Sequence, residues 1–339
     1  MSTLQSHVSL RPYNTFGIDV STKYWIQINS VTEAEEFIID NINNPLPTFI
    51  LGGGSNILFT KDFEGVVIYN QIKGKEVIRE TEDEVWLKVG AGENWHELVC
   101  YCLSQDWGGI ENLSLIPGSV GAAPIQNIGA YGVEIKEVFD HLEAINLHTG
   151  HPKTFDRASC AFGYRDSIFK RRAKGLYMIT QVVFRLSKRN HTLHTTYGAI
   201  TQRLEELALP PSIQHISQAV IDIRQRKLPD PKVIGNAGSF FKNPVISAEA
   251  FADIQSQYPE APHYPQPNRT VKVPAGWLIQ QCGWKGLSRG SYGVHDRQAL
   301  VLVNKGGASG QEIFDLSEEI LQDVKRTFQI ELSREVNIL

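Results

Sequence analysis

At 339 residues and 42% hydrophobic side chains, the chain can bury a large core and has the length of two or three domains, which argues against disorder. Its formal charge of −4, with no long run of Lys or Arg, offers nothing to track a phosphate backbone or an acidic membrane surface. No apolar run approaches the roughly 20 residues of a membrane helix, and Met1–His7 has no basic region leading into an apolar one. The expectation is a cytoplasmic protein without nucleic-acid or membrane partners.

Residues 23–29 alternate in polarity like a strand, and Thr32 with Glu35 reads as a capping box for a following helix, so the chain should open β-α-β. Pro47 to Leu51 reads as a buried strand running into the loop Gly52-Gly53-Gly54-Ser55-Asn56. Glu84–Val89 is a further strand, followed by a helix with Trp95, Leu98, Val99, Cys102 and Leu103 on one face. Between Gly108 and Gly132 no period is visible, and a loop of that length is usually functional. Strands resume through Leu142–Leu147 and Tyr177–Leu186. Helices then fit Ala199–Leu207 and Ile213–Arg226, the second ended by Leu228-Pro229-Asp230-Pro231. A smaller α+β unit follows, with a helix over Gln311–Phe328 and a last strand over Glu335–Leu339. Cys100, Cys102, Cys160 and Cys282 form no C-x-x-C pair and read as buried reduced thiols, with no metal site expected.

The glycine triplet at 52–54 is either a tight turn or a backbone cradle for an anion such as a pyrophosphate. It is neither a dinucleotide fingerprint nor a P-loop. The small residues Gly118, Ser119, Gly121, Ala122 and Ala123 add a second loop rich in backbone donors, and two such loops favour one large dinucleotide. Arg224, Arg226 and Lys227 cluster at a helix end, where solvated cations complement the dipole. Lys227 also has a direction fixed by the following prolines, which suits a phosphate. Tyr197 could stack on a base or be a plain loop residue. Arg165 has the fork to clamp a carboxylate, or pairs with Asp166. Glu335 is a proton handler or half of a buried pair. Ser239, in Gly238-Ser239-Phe240-Phe241-Lys242-Asn243-Pro244, sits in a loop that packing does not account for. His96 and His295 receive no catalytic role.

Asn14-Thr15-Phe16, Gly52–Asn56, Pro117–Gly132, Gly163–Ser167, Thr196-Tyr197-Gly198, Lys227–Pro231, Asn236–Pro244 and Glu335 occur in an order that resembles the UDP-N-acetylenolpyruvoylglucosamine reductase (UDP-N-acetylmuramate dehydrogenase) family, type I, over almost the whole chain. The resemblance implies an α+β protein with a vanillyl-alcohol-oxidase/PCMH-like FAD-binding fold. Its two α+β subdomains would be 1–70, completed by a strand near 330–339, and 71–226, carrying the Tyr197 loop. A C-terminal α+β substrate domain would span 227–329. It implies non-covalent FAD against Gly52, Gly53, Gly54, Ser55, Asn56, Pro117, Gly118, Ser119, Gly121, Ala122, Ala123, Ile125, Asn127 and Gly129. Where the family often has a serine pair this chain has Ala122-Ala123, which removes hydroxyl contacts and leaves backbone donors.

The resemblance further implies NADPH as reductant, UDP-N-acetylglucosamine enolpyruvate as substrate, and a monomer. Arg165 and Glu335 would act at the substrate carboxylate region and Ser239 would donate the proton. Tyr197, Lys227, Asn243 and Gln298 would contact a nucleotide. Two rivals stand beside this reading: an oxygen-using oxidase on the same fold, separable by its electron acceptor, and a nucleotide-binding sensor without turnover, separable by absence of catalysis.

Overall fold

A computed structural model describes residues 3–43 and 46–339. The stretch Met1–His7 includes Met1 and Ser2, which lie outside the described residues. The chain divides into two compact units, one of residues 1–8, 22–54 and 63–226, the other of 9–21, 55–62 and 227–339.

The first unit is built on two sheets. In the four-stranded sheet, Phe63–Asn70 lies between Ser21–Ile28 and Thr48–Leu51, parallel to both, with Gln5–Ser9 outside. The helix Val31–Asn41 makes the crossover that a parallel pair requires. Its cap lies two residues earlier than the expected Thr32/Glu35 pair. The Ser30 hydroxyl accepts from Glu33 N–H at 3.1 Å, and the Glu33 carboxylate accepts from Asn29 N–H at 2.8 Å. Both pairs have capping-box spacing; the helix that starts at Val31 buries Ala34 and Ile38. Of the strand expected to be buried, only Leu51 is fully so.

The second sheet is antiparallel, in the order Pro152–Asp156, Phe139–Asn146, Tyr177–Ser187, Glu84–Gly90 and Lys75–Glu80. The edge strand Lys75–Glu80 is exposed at every position, so no apolar alternation announces it in the sequence. The helix Trp95–Ser104 buries Trp95, Leu98, Val99 and Cys102. At about 1.5–3 kcal/mol for each large apolar side chain, that face fixes the helix in place. The Trp95 indole then donates to Leu113 C=O at 2.9 Å, pinning the loop that follows. That loop is not structureless: Glu111–Leu113 and Val120–Gln126 form 3₁₀ turns, too short to show a period.

The second unit is organised by the helix Gly310–Phe328. Ser309 and Glu312 form a reciprocal capping box, and Ile313, Leu316, Ile320, Val324 and Phe328 face its core. A Cβ on Gly310 would lie 1.7 Å from Phe59 C=O, so only glycine lets the helix start this close to the segment 55–62. Asn337–Ile338 pairs in parallel with Ile57–Leu58, a shorter strand than expected. Two small antiparallel sheets complete the unit, 245–247/270–272/264–266 and 288–289/292–294/302–304. All four cysteines are free thiols, but only Cys102 and Cys160 are buried, and burial pushes both up to about 12. Among the described residues no helix is long and apolar enough to cross a membrane, and no cluster of His, Cys, Asp or Glu could hold a metal.

Candidate active site

In the first unit the two glycine loops abut. A Cβ on Gly53 would stand 2.7 Å from Gly118 Cα, and one on Gly52 would stand 2.2 Å from Ser119 Oγ. Gly121 is pressed equally closely on Ala91, 2.6 Å from a built Cβ to Ala91 Cβ. Among the described residues the N–H groups of Gly53 and Ser119 have no protein acceptor, whereas Val120 and Gly121 donate to Glu93 and Ala91. Gly53, Pro117, Ala122 and Ile125 are exposed along this seam. Backbone donors left without a protein acceptor beside small side chains suit a phosphate-bearing, flat cofactor, so the donor set fits FAD. Asn127 contributes differently: it is fully buried, with Nδ2 donating to Glu134 Oε2 at 3.0 Å and Gly163 C=O at 2.9 Å. Its side chain thus ties this loop to the Gly163–Ser167 segment. Gly129 C=O accepts from Arg165 Nη2 at 2.5 Å.

Arg165 has a left-handed backbone, φ +51°, and its guanidinium lies over the Tyr164 ring. Asp166, the alternative partner, pairs with Arg171 at 3.1 Å. Tyr197 is 44% exposed and meets Tyr131 edge to face at 5.3 Å. Arg224 departs from expectation. Arg226 and Lys227 are exposed, but Arg224 is half-buried and its Nε is sealed from water without a protein partner. The periodicity of the helix Ile213–Lys227 explains the split: Arg224 shares the inward side with Ser217, Val220 and Ile223, which nearness to the helix end alone does not reveal.

In the second unit, Asn14 holds a turn that the sequence marks only as part of a motif. It is buried, donates to the carbonyls of Leu10 and Ile18 at 2.8 and 3.0 Å, and accepts from Ile18 N–H at 2.9 Å. The next residue, Thr15, accepts from Asn236 N–H at 3.0 Å, and Phe16 meets Phe240 edge to face. The Ser239 loop rests on that turn. Phe240 N–H donates to Leu300 C=O at 2.8 Å, while Phe240 C=O accepts from Glu335 N–H at 2.8 Å. The loop is held on both sides, and Glu335 is carried by the segment adjoining it. Arg334 anchors that segment, donating to Ser317 Oγ at 2.8 Å and Glu318 Oε1 at 2.6 Å. Among the described residues the half-buried Ser239 hydroxyl has no protein partner. Asn243 Oδ1 accepts from Ala275 N–H at 2.9 Å, which leaves its amide nitrogen for a ligand. Gln298 Oε1 accepts from Leu300 N–H at 3.3 Å.

Two family models match, one described as FAD binding domain over residues 23–155 and one as UDP-N-acetylenolpyruvoylglucosamine reductase, C-terminal domain, over 230–339. The UDP-N-acetylenolpyruvoylglucosamine reductase of Flavobacterium johnsoniae is 50% identical over 337 residues, covering 99% of both chains. The chain belongs to the UDP-N-acetylenolpyruvoylglucosamine reductase family. The crystal structure of the Thermus caldophilus reductase superposes with a TM-score of 0.69 at 22% identity, over 100% of this chain and 99% of that one. p-Cresol methylhydroxylase superposes at 0.52 and 11% identity, over 97% and 85%. These two likenesses show the fold, an FAD-binding fold of the PCMH-like class.

Proposed function

We propose that this reductase draws its electrons from NADPH and that Arg165, Ser239 and Glu335 handle charge and proton at the enolpyruvyl group. The family gives the reaction itself, FAD-dependent reduction of UDP-N-acetylenolpyruvoylglucosamine in peptidoglycan precursor synthesis. FAD, when bound, supplies the hydride carrier between the two substrates. Gly53 and Ser119 would present backbone N–H groups to its phosphates.

Reduction adds a hydride to the terminal vinyl carbon and a proton to the neighbouring carbon, giving a lactyl ether. Charge that develops beside the carboxylate is delocalised into it, and the Arg165 guanidinium stabilises that charge. Ser239 gives its hydroxyl proton to the carbon and recovers one from solvent. Glu335 hydrogen-bonds the reacting group. Tyr197, Lys227, Asn243 and Gln298 bind nucleotide, Lys227 by charge and Asn243 through its free amide nitrogen. Ser55, Asn56, Pro117, Gly118, Ala122, Ala123, Ile125 and Gly129 line the cofactor. The same reading keeps a cytoplasmic monomer, with 1–70 and 71–226 as FAD subdomains and 227–329 as the substrate domain.

The observation that carries the proposal is the Ser239 hydroxyl, without a protein partner on a backbone held from both sides and next to the segment bearing Glu335. A half-buried hydroxyl that no protein group engages keeps both its donor and its acceptor capacity for a ligand. The test is the anaerobic visible spectrum of FAD-loaded protein, with NADPH added first and the enolpyruvyl substrate second. Wild type should bleach and then recover its colour. Ser239→Ala should bleach normally and recover about 10²–10⁴-fold more slowly. Normal recovery in the variant removes Ser239 from the role, and bleaching without recovery in wild type removes the reaction.

A further inference from the structure

Several arginines of this protein are held by a carboxylate through two hydrogen bonds: Arg185 by Glu84, and Arg289 by both oxygens of Glu319. Arg203 donates from Nε and Nη2 to Asp222 Oδ2. Arg224 has no such match, although its Nε is sealed from water, where an uncompensated charge is most costly. Its Nε has no protein partner, and among the described residues no carboxylate pairs with it. Its neighbours are a phenol and two nitrogen groups: the Tyr131 hydroxyl hydrogen-bonds the guanidinium, and Arg165 and His96 lie within electrostatic reach.

Arg165 flanks the same turn, through its 2.5 Å hydrogen bond to Gly129 C=O, two residues before Tyr131. Asn112 Nδ2 fixes that turn by donating to Tyr131 C=O at 3.2 Å and His194 C=O at 2.9 Å. Two guanidiniums therefore face one rigid turn, and the protein supplies the more buried of them with no anion.

We propose that Arg224 is the second cation of the seat for the substrate's enolpyruvyl carboxylate, beside Arg165. This rests on the assignment of Arg165 to that carboxylate. A planar group with two oxygens relieves the repulsion between the two cations and satisfies a fork that the protein leaves incomplete. Burial, with Arg165 adding to it, presses the Arg224 pKa downwards, and the charge of a bound carboxylate opposes that shift.

The experiment compares wild type with Arg224→Gln. It measures KM for the enolpyruvyl substrate, Kd for UDP-N-acetylglucosamine, which keeps the diphosphate but lacks the carboxylate, and Tm without ligand. The proposal expects KM to rise on the order of 100-fold, with Kd for UDP-N-acetylglucosamine within threefold and Tm unchanged or higher. A purely structural Arg224 would lower Tm and leave KM in place, and that result overturns the proposal. An equal loss for both ligands overturns it in favour of a diphosphate contact. Should Arg224→Gln not fold, Arg224→Lys decides: it keeps the charge and loses the fork, so KM should rise about tenfold with UDP-N-acetylglucosamine unaffected, and an unchanged KM overturns the idea. Wild type that never turns over would refute the proposed reaction instead, before any variant is compared.

Discussion

The contact between the two glycine loops makes a quantitative prediction for Gly53→Ala. The new methyl would lie 2.7 Å from Gly118 Cα and 3.0 Å from Gly118 C, both backbone atoms that cannot swing away. Ordinary van der Waals contact begins near 3.4 Å, so the loops must part by about 0.7 Å or the 52–54 turn must twist. Overpacking of this kind costs roughly 1–3 kcal/mol. The donors that would meet the FAD phosphates sit on those same two loops, so the separation should fall on cofactor affinity. At about 1.4 kcal/mol per decade that is roughly a 5- to 150-fold rise in the FAD Kd. Titration of apoprotein with FAD, followed by quenching of flavin fluorescence, gives the number directly. A Kd within twofold of wild type would refute the reasoning, because it would mean that loop contact and cofactor seat are independent.

Two further predictions concern scaffolding. The His96 Nδ1 accepts from Leu115 N–H at 3.0 Å, which places its proton on Nε2, and burial with the Arg224 charge holds its pKa below the ordinary value near 6.5. The folded state resists protonation, so its stability is full above about pH 6.5 and falls as pH drops through that value towards the folded pKa. Tm measured from pH 7.5 to 5 should therefore decline more steeply in wild type than in His96→Asn, and parallel curves would sink the argument. Asn14→Ala should lower stability by about 2–4 kcal/mol, since it leaves both the N–H and the C=O of Ile18 unpaired, while Leu10 C=O keeps Tyr13 N–H. A loss below about 0.5 kcal/mol in denaturant melts would show that the turn does not depend on that amide.

The sequence made some of this architecture readable and hid the rest for identifiable reasons. Long periodic elements such as Gly310–Phe328 and Trp95–Ser104 announce themselves because one face must be apolar. The exposed edge strand Lys75–Glu80 has no such face and leaves no pattern. The glycine loops were visible as unusual composition, but not the fact that they touch, since that contact joins residues far apart in the chain. Ser239, Arg165 and Glu335 are singled out by the family resemblance of the segments that carry them. Arg224 is not: a cation in the last turn of a helix satisfies the dipole rule whichever way it points, and only side-chain burial distinguishes the two. Asn14 was equally opaque, because a polar residue that serves as a backbone knot looks like a polar residue in a loop.

The second unit is assembled from three separated stretches of chain, 9–21, 55–62 and 227–339. Phe16, Ile18 and Leu58 from the two early stretches belong to the same core as Leu316 and Phe328. Contacts that span more than two hundred residues close large loops, and such topologies fold slowly. During synthesis the early stretches must wait, apolar and unpartnered, until the late one has emerged. A fragment beginning at Lys227 would carry both Ser239 and Glu335 yet lack the side chains that close its core, so separate expression of this part should give aggregation-prone material unless 9–21 and 55–62 are grafted back.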